Sequence, residues 1–306
     1  MLVYVAKTSE LCRSSGSALA PAQVNFTHHT SNDPVIAAPI QTVLAACVMA
    51  FSAACAGDGA PPAAASTTKP ATSVEAKGDV VIPAPAAPYT AVTVATPGTV
   101  TGTVTLNSAL PQLAPVGTGA DSASCGPAIP DESVQMQGGG LSGVVVWLDG
   151  IRSGKSLGLE RRVELESDHC KLTPRVQAAA IGSAVNIIGH DDLRQHLRFT
   201  AGGESTARAT ILLGGGEQVI PTELPFKAPG MVAVRDTARA WTRAYLAVFD
   251  HPYFAVTGAG GTFTIDGVPP GKYTLHAWHE RSAVATQTID VGANAAVKVP
   301  VVLNGK

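Results

Sequence analysis

Short segments in which apolar and polar residues alternate recur between residues 98 and 303, and turns rich in Gly, Pro and Asp separate them. The clearest are "GTVTGTVTL" at 98–106 and "GTFTIDGVPPGKYTL" at 261–275. A period of two residues is typical of β-strands with one buried face. Charged residues make up only 14% of the chain, and with 31 Gly and 22 Pro it contains little material for long helices. The sequence therefore predicts an all-β fold.

Charge and motif content narrow the classes of function. The formal net charge is −2 and the sequence shows no basic stripe, which argues against a nucleic-acid partner. The motifs of serine hydrolases, zinc proteases and phosphate-binding loops are absent, since "SGKS" at 153–156 lacks the preceding glycine loop. We therefore predict a protein that is not an enzyme and that has no cofactor.

Residues 35–56 form an uncharged and almost wholly apolar run that ends in small residues before Cys55. Its length allows a membrane span, whereas the small-residue ending favours an export signal. "FSAAC" at Cys55 resembles the end of a bacterial lipoprotein signal, and "LAAC" at Cys47 is the alternative processing site. We predict a lipoprotein-type signal within an N-terminal extension, residues 1–55, and lipidation at Cys55 that anchors the chain in the bacterial cell envelope (periplasm or outer membrane). An uncleaved anchor or a simple secretion signal is the alternative.

Residues 56–92 are rich in Pro and Ala and poor in large apolar side chains. Such a stretch buries too little surface to offset the entropy that is lost on ordering. We predict a disordered linker here, with the folded body beginning near Ala91.

Three segments resemble the opening, middle and closing strands of the carboxypeptidase regulatory-like (transthyretin-like) β-sandwich: "GTVTGTVTL", "VVVWLDG" and "AVTGAGGTFTIDGVPPGKYTL". The third is the most specific, with Phe263, Ile265 and Tyr273 at positions that match the family. About a hundred residues separate the second segment from the third, which is too long for a loop. The resemblance therefore implies a discontinuous β-sandwich formed by residues 93–160 and 250–306, with an inserted folded domain at 161–249.

The inserted residues resemble a cupredoxin in the order of their strands. "CKLTPRVQAAAIGSAVNII" is similar to the entry strands, and "DTARAWT" at 236–242 stands where the family has a short copper-binding loop. The run through "RAYLAVFDHPYFAV" is similar to secreted bacterial proteins that combine a cupredoxin with a regulatory-like segment, some of them labelled methylamine-utilisation proteins. The resemblance implies four copper-ligand positions, which hold His196, Asp236, Arg239 and Thr242.

These four residues do not form a blue-copper ligand set. Such a centre needs two imidazoles and a thiolate, with a weak axial thioether, and only His196 is retained. Arg239 carries a positive charge that it cannot give up. We predict that copper binding is lost and that Asp236 and Arg239 form a salt bridge that closes the loop. The alternative is a different divalent ion, bound by side chains among His190, Asp191, Asp192, His196 and Asp236.

Three polar residues near the end of the inserted domain and in the closing strands are candidates for a structural cluster: His251, His279 and Glu280. At the junction of two sandwiches such residues would satisfy buried backbone groups. The alternative is a metal or proton site that also includes His276. His276 and His279 are three residues apart, so in a strand their side chains point to opposite faces.

Trp241 stands where the short loop of the family has an aromatic residue, and we expect it to be exposed. With Arg239 and Arg243 beside it, it forms a candidate binding site for an anion or a sugar. Packing of the indole within the loop is the alternative.

Cys125 and Cys170 are the only cysteines after Cys55. In an exported chain such an even pair favours a disulfide, which would tie the outer sandwich to the inserted domain. A pair of free thiols is the alternative.

The function that these features favour is that of a non-catalytic, exported envelope lipoprotein that acts as a binding or scaffold module for a protein or a glycan. The first alternative is a periplasmic cupredoxin-type protein for copper binding and electron transfer. The second is a carbohydrate-binding module as such, which rests on the shape of the regulatory-like sandwich alone.

Overall fold

The computed structural model describes residues 72–73, 82, 88–107, 110–158, 162–201, 207–223 and 228–305. The predicted signal at 1–55, with lipidation at Cys55 and the alternative at Cys47, lies outside the described residues. Strands dominate what is described, and the prediction of an all-β fold is confirmed. Within this part of the chain, none of the helices has the length and apolar character needed to cross a bilayer.

The strands that precede the inserted residues are β1 (Thr72–Ser73), β2 (Thr90–Ala91), β3 (Gly98–Leu106), β4 (Val116–Gly117), β5 (Ala128–Ile129), β6 (Met136–Gln137), β7 (Gly140–Leu141), β8 (Val145–Asp149) and β9 (Ser153–Gly154). The inserted strands are β10 (Arg162–Asp168), β11 (Lys171–Thr173), β12 (Val176–Ala180), β13 (Ala184–Gly189), β14 (Gln195–Ala201), β15 (Ala209–Leu213), β16 (Gln218–Glu223), β17 (Gly230–Asp236) and β18 (Arg243–Phe249). The closing strands are β19 (Phe254–Val256), β20 (Thr262–Val268), β21 (Gly271–Trp278), β22 (Ala285–Val291), β23 (Ala296–Lys298) and β24 (Val301–Leu303). Helical turns occur at Gly119–Asp121, at Ser122–Cys125 (α1) and at Ala259–Gly261.

Strands from before and after the inserted residues form the outer sandwich. One of its sheets has the order β1-β22-β21-β8-β19, and the other has the order β20-β3-β7-β6, with β23 and β24 also paired to β3. Along β20, Phe263, Ile265 and Val268 are buried while the residues between them are more exposed. The core of this sandwich is supplied by residues 100–151 and 253–303, so the chain leaves it and returns.

Gly140 and Gly260 explain part of the glycine content of the outer sandwich. A Cβ atom at Gly140 would overlap the carbonyl group of Gly260. Only glycine allows two backbones to approach this closely.

The inserted strands form a second sandwich, the inner one, with its own core. Its sheets have the orders β11-β10-β13-β16 and β12-β18-β17-β14-β15. The pairs β10/β13 and β12/β18 are parallel, and the other pairs are antiparallel. The buried side chains of this core, among them Ile187, Phe199 and Val234, come from residues 165–248.

A third apolar cluster joins the two sandwiches. β18 leads almost directly into β19, and the ring of Phe249 stacks on that of Phe254 with centroids 4.7 Å apart. Trp147 and Trp278 of the outer sandwich and Met231 of the inner sandwich are buried in the same cluster. The two cores are therefore held against each other by aromatic packing.

Within the stretch predicted as a linker, 56–92, the described residues 72–73, 82 and 88–92 contact the body, so contacts with the body begin before Ala91. Strand β1 pairs with β22, β2 pairs with β9, and Ile82 is only 5% exposed. The hydroxyl of Tyr89 donates a hydrogen bond to the carbonyl of Lys155 at 2.6 Å. The composition of the stretch does not reveal these contacts, because Ile82 and Tyr89 are isolated large side chains within a sequence rich in Pro and Ala.

Residues 110–135, which we call the covering segment, were not assigned to any strand from the sequence. The segment contains β4, β5 and α1, and its Cys125 forms a disulfide with Cys170 in the turn before β11. On its other side, the guanidinium of Arg281 contacts the side chains of Asp131 and Ser133. The segment therefore bridges the inner and outer sandwiches at the end where the loop 236–242 lies.

Candidate functional site

A buried cation lies in the loop that joins β17 to β18. Arg239 Nη1 donates to Asp236 Oδ2 at 3.1 Å, and Arg239 Nε and Nη2 donate to the two carboxylate oxygens of Asp121 in the covering segment. The side chain of Arg239 is 10% exposed and that of Asp236 is 1% exposed. The guanidinium thus links two carboxylates from different parts of the chain, one of which is the predicted partner Asp236.

The residues at the four copper-ligand positions do not fit a copper ion. His196 is exposed on β14, whereas Asp236 is buried and accepts hydrogen bonds from Ala238 N and from Arg239. Thr242 donates its hydroxyl hydrogen to the carbonyl of Cys170. The position of the second histidine is taken by a guanidinium that carries a positive charge.

The alternative divalent-ion site does not come together either. His190 contacts Glu217 at the surface, while Asp191 is buried and accepts hydrogen bonds from Ser167, Gln195 and Cys170 N. Across the described ranges, no group of three or more His, Cys, Asp or Glu side chains is arranged to hold a metal ion.

A cavity of about 200 Å³ lies between the covering segment and the inner sandwich. Its apolar lining includes Leu113, Val116 and Ile129, and its polar lining includes Trp241 and Arg243. The prediction that Trp241 is exposed is corrected here, because the indole is half-buried and packs against the cluster around the Cys125 disulfide. Arg239 does not line the cavity, and its guanidinium donates hydrogen bonds to the carboxylates of Asp236 and Asp121 instead.

Two N–H donors at this cavity are buried and have no hydrogen-bond acceptor among the described residues. They are Nε1 of Trp241 and Nε of Arg243. Buried donors in folded proteins almost always have a partner, because an unpaired one keeps the full cost of desolvation. Because both residues also line the first cavity, this cavity is the candidate place for a ligand that carries acceptor oxygens.

A second cavity, of about 380 Å³, continues the first along the junction of the two sandwiches. The two cavities share Glu132, Leu172 and Arg175, and we call them together the junction cleft. The polar residues that line only the second cavity are Ser133, Gln135, Ser142, Thr173, Thr257, His279 and Glu280.

The three candidate residues of the structural polar cluster each have a separate partner. His251 Nδ1 accepts a hydrogen bond from Tyr253 N, and His279 Nδ1 accepts one from Arg281 N. Glu280 forms a bidentate ion pair with Arg175. His276, which the alternative metal site required, instead stacks on Trp147 with ring centroids 4.9 Å apart.

Burial of these histidines predicts that the protein loses stability in acid. Desolvation lowers the pKa of His279 to about 4, and it also lowers the pKa of His251 and of His276. In the unfolded chain a histidine has a pKa of about 6.5. Between pH 6.5 and 4 the unfolded chain therefore binds a proton at position 279 that the folded protein does not bind. From this group alone we expect the free energy of unfolding to fall by about 2 kcal/mol between pH 7.5 and pH 5.

The test is urea denaturation of the wild type and of His279→Gln at both pH values. Glutamine can donate and accept hydrogen bonds but does not titrate, so the variant should lose less stability on acidification. His196→Gln, at an exposed histidine, is the control and should keep the wild-type dependence. An unchanged pH dependence in His279→Gln would contradict the prediction.

A row of arginines crosses one sheet of the inner sandwich, although the sequence itself shows no basic stripe. In the register of the sheet, Arg198 of β14 lies opposite Arg235 of β17, and Arg235 lies opposite Arg243 of β18. Directly opposed residues of antiparallel strands project from the same face. These positions are far apart in the sequence, so only the strand register could reveal the row.

Comparison with known proteins gives a match to a family model and matches to solved structures. Residues 228–299 match the family model of polysaccharide lyase family 4, domain II. A solved structure of amicyanin, a mutant in its reduced Cu(I) form at pH 4, is 16% identical to this chain, with coverage of 34% of this chain and 97% of that chain and a TM-score of 0.24. No curated protein matches this chain. The family-model match, with the sheets described above, supports a β-sandwich protein. The structural match carries no argument, because its TM-score is too low.

Proposed function

We propose that this protein is a non-catalytic binding module of the bacterial cell envelope, exported and anchored through a lipid on Cys55, and that it binds a glycan in the junction cleft. The observation that carries the proposal is the pair of buried, unpaired N–H donors of Trp241 and Arg243 at one cavity. A sugar supplies acceptor oxygens in its hydroxyl groups and ring ether. Its C–H faces suit the apolar side of the cavity, formed by Leu113, Val116 and Ile129.

The family-model match supports a carbohydrate ligand. The matched residues, 228–299, include β17, β18 and the loop that holds Trp241, and they continue into the closing strands of the outer sandwich. The model is that of a domain from polysaccharide lyases. Residues on both sides of the cleft, such as Arg243 and His279, fall within this match.

The ion pairs around the cleft support a binding role over a catalytic one. Glu132 pairs with Lys171 at 2.8 Å, and Glu280 pairs with Arg175. Asp131 accepts hydrogen bonds from the backbone and from Arg281. The oxygens of these carboxylates are thus already engaged by cations or by N–H donors, which leaves them less available to take a proton from a substrate.

Replacing Trp241 with alanine should weaken glycan binding by tenfold or more, because it removes both an indole N–H donor and an aromatic surface from the cleft. The measurement is a glycan array on the full-length chain, followed by titration calorimetry with the glycans that bind. Trp241→Phe retains the ring without the donor and should fall between the wild type and Trp241→Ala.

Val219→Ala is the matched control, since Val219 is 61% exposed on β16 and does not line the cleft. It should bind like the wild type, and thermal unfolding should show that all variants are folded. If no glycan binds the wild type, or if Trp241→Ala binds with wild-type affinity, the proposal is wrong.

A further inference from the structure

The arginine row places like charges directly opposite one another. Arg235 is exposed and Arg243 is half-buried, and neither forms an ion pair with any described residue. Like charges in directly opposed positions of a sheet destabilise the pairing. Arg235 and Arg243 are therefore two neighbouring cations whose charges the described residues leave unneutralised.

The row adjoins the junction cleft. Arg243 belongs to both, since it lines the first cavity and is also the last arginine of the row. Tyr245 N, two residues further along β18, donates a hydrogen bond to the carbonyl of the cavity residue Arg175 at 2.8 Å. Arg243 therefore lies between the first cavity and the exposed Arg235, which is its direct neighbour across the sheet.

The neighbouring cations differ in whether they are neutralised. Lys171 and Arg175, which also line the first cavity, have carboxylate partners in Glu132 and Glu280. Arg235 and Arg243 have none among the described residues, so their charge is available to a ligand. A guanidinium presents its donors in a planar fork, which matches the geometry of a carboxylate.

We propose that Arg235 and Arg243 bind the carboxylate groups of an acidic glycan, so that the glycan occupies the junction cleft and extends along the arginine row. This inference rests on the proposed function, since it names the class of glycan that the cleft takes. The ligand neutralises the two opposed charges and supplies the acceptor that Arg243 Nε lacks. Neutral parts of the same glycan fill the apolar side of the first cavity.

The experiment measures the dissociation constants of alginate oligosaccharides and neutral dextran oligosaccharides with the full-length protein, at low and at high salt. The double variant Arg235→Gln/Arg243→Gln should bind alginate at least tenfold more weakly and should show a smaller loss of affinity on adding salt. Binding of dextran, where present, should not change. Arg152→Gln/Arg162→Gln removes two exposed arginines outside the row, and it should behave like the wild type.

The outcomes separate the inference from the proposed function. Alginate binding that depends on Trp241 but not on the arginine pair overturns the inference and leaves the glycan-binding module standing. Alginate binding that depends on the arginine pair but not on Trp241 supports carboxylate binding by Arg235 and Arg243, and it overturns the proposal that the glycan lies in the junction cleft. Equal affinity for alginate and for single-stranded DNA overturns the assignment of a glycan, because the row would then bind any polyanion.

Discussion

Replacing Arg239 with methionine should lower the free energy of unfolding by about 3–5 kcal/mol, the range found when one partner of a buried ion pair is removed. The Asp236 side chain is 1% exposed, and its Oδ2 atom accepts a hydrogen bond from Arg239. Without the guanidinium, this carboxylate is left in the interior with no cation beside it. Asp121 loses both of its hydrogen bonds from Arg239 as well, so the covering segment loses one of its attachments to the inner sandwich. Urea denaturation at pH 7.5 measures the change.

Two further variants distinguish a broken ion pair from a general packing defect. Asp236→Asn/Arg239→Met removes both charges of the buried pair, and it should be more stable than Arg239→Met alone, because the unpaired charge is gone. Arg162→Met changes an exposed arginine on β10 and should alter stability by no more than about 0.5 kcal/mol. A loss of less than about 1 kcal/mol in Arg239→Met would show that the cation does not hold this end of the sandwich together.

Replacing Cys125 and Cys170 with alanine should lower the free energy of unfolding by about 4 kcal/mol, from the loop-closure entropy of the crosslink. The disulfide closes a loop with a sequence separation of 45 residues. Both cysteines are buried, so alanine at these positions brings no new polar group into the interior. The same loop carries the covering segment, and its release should also widen the first cavity of the junction cleft. Urea denaturation measures the stability of the double variant.

The single variant Cys125→Ala gives the control for this prediction. It breaks the same crosslink, so its stability should be close to that of the double variant. Free thiols predict a different pattern, in which the two single replacements cost little and add independently.

Local alternation predicted much of the fold because each strand of a sandwich has one face toward a core. The segments identified as strands from the sequence, by alternation or by resemblance, overlap β3, β8, β11, β12, β13, β20 and β21. The buried positions in β20, such as Phe263 and Ile265, follow the two-residue period. The covering segment escaped prediction, because its strands have only two residues each and carry no period.

The candidate site was predicted less well than the fold. The salt bridge between Asp236 and Arg239 is present, but its second carboxylate, Asp121, lies more than a hundred residues away in the sequence and had no signal. Trp241 was expected at the surface because its loop is short, yet the covering segment packs over the indole. Which side chains line a cavity depends on contacts between segments that are distant in the chain.

The sequence by itself determined the strand content and the residue types available in the loop 236–242, which contains neither cysteine nor histidine. These are properties of single residues and of short windows, so they can be read without knowing the partners of a strand. Only the tertiary structure decided that Arg239 lies between two carboxylates, that Trp241 and Arg243 are left with unpaired donors, and that Arg235 lies opposite Arg243. The physical reason is that charge pairing and desolvation depend on distances across strands and segments, and the register that sets these distances is chosen by the packing of the whole sandwich.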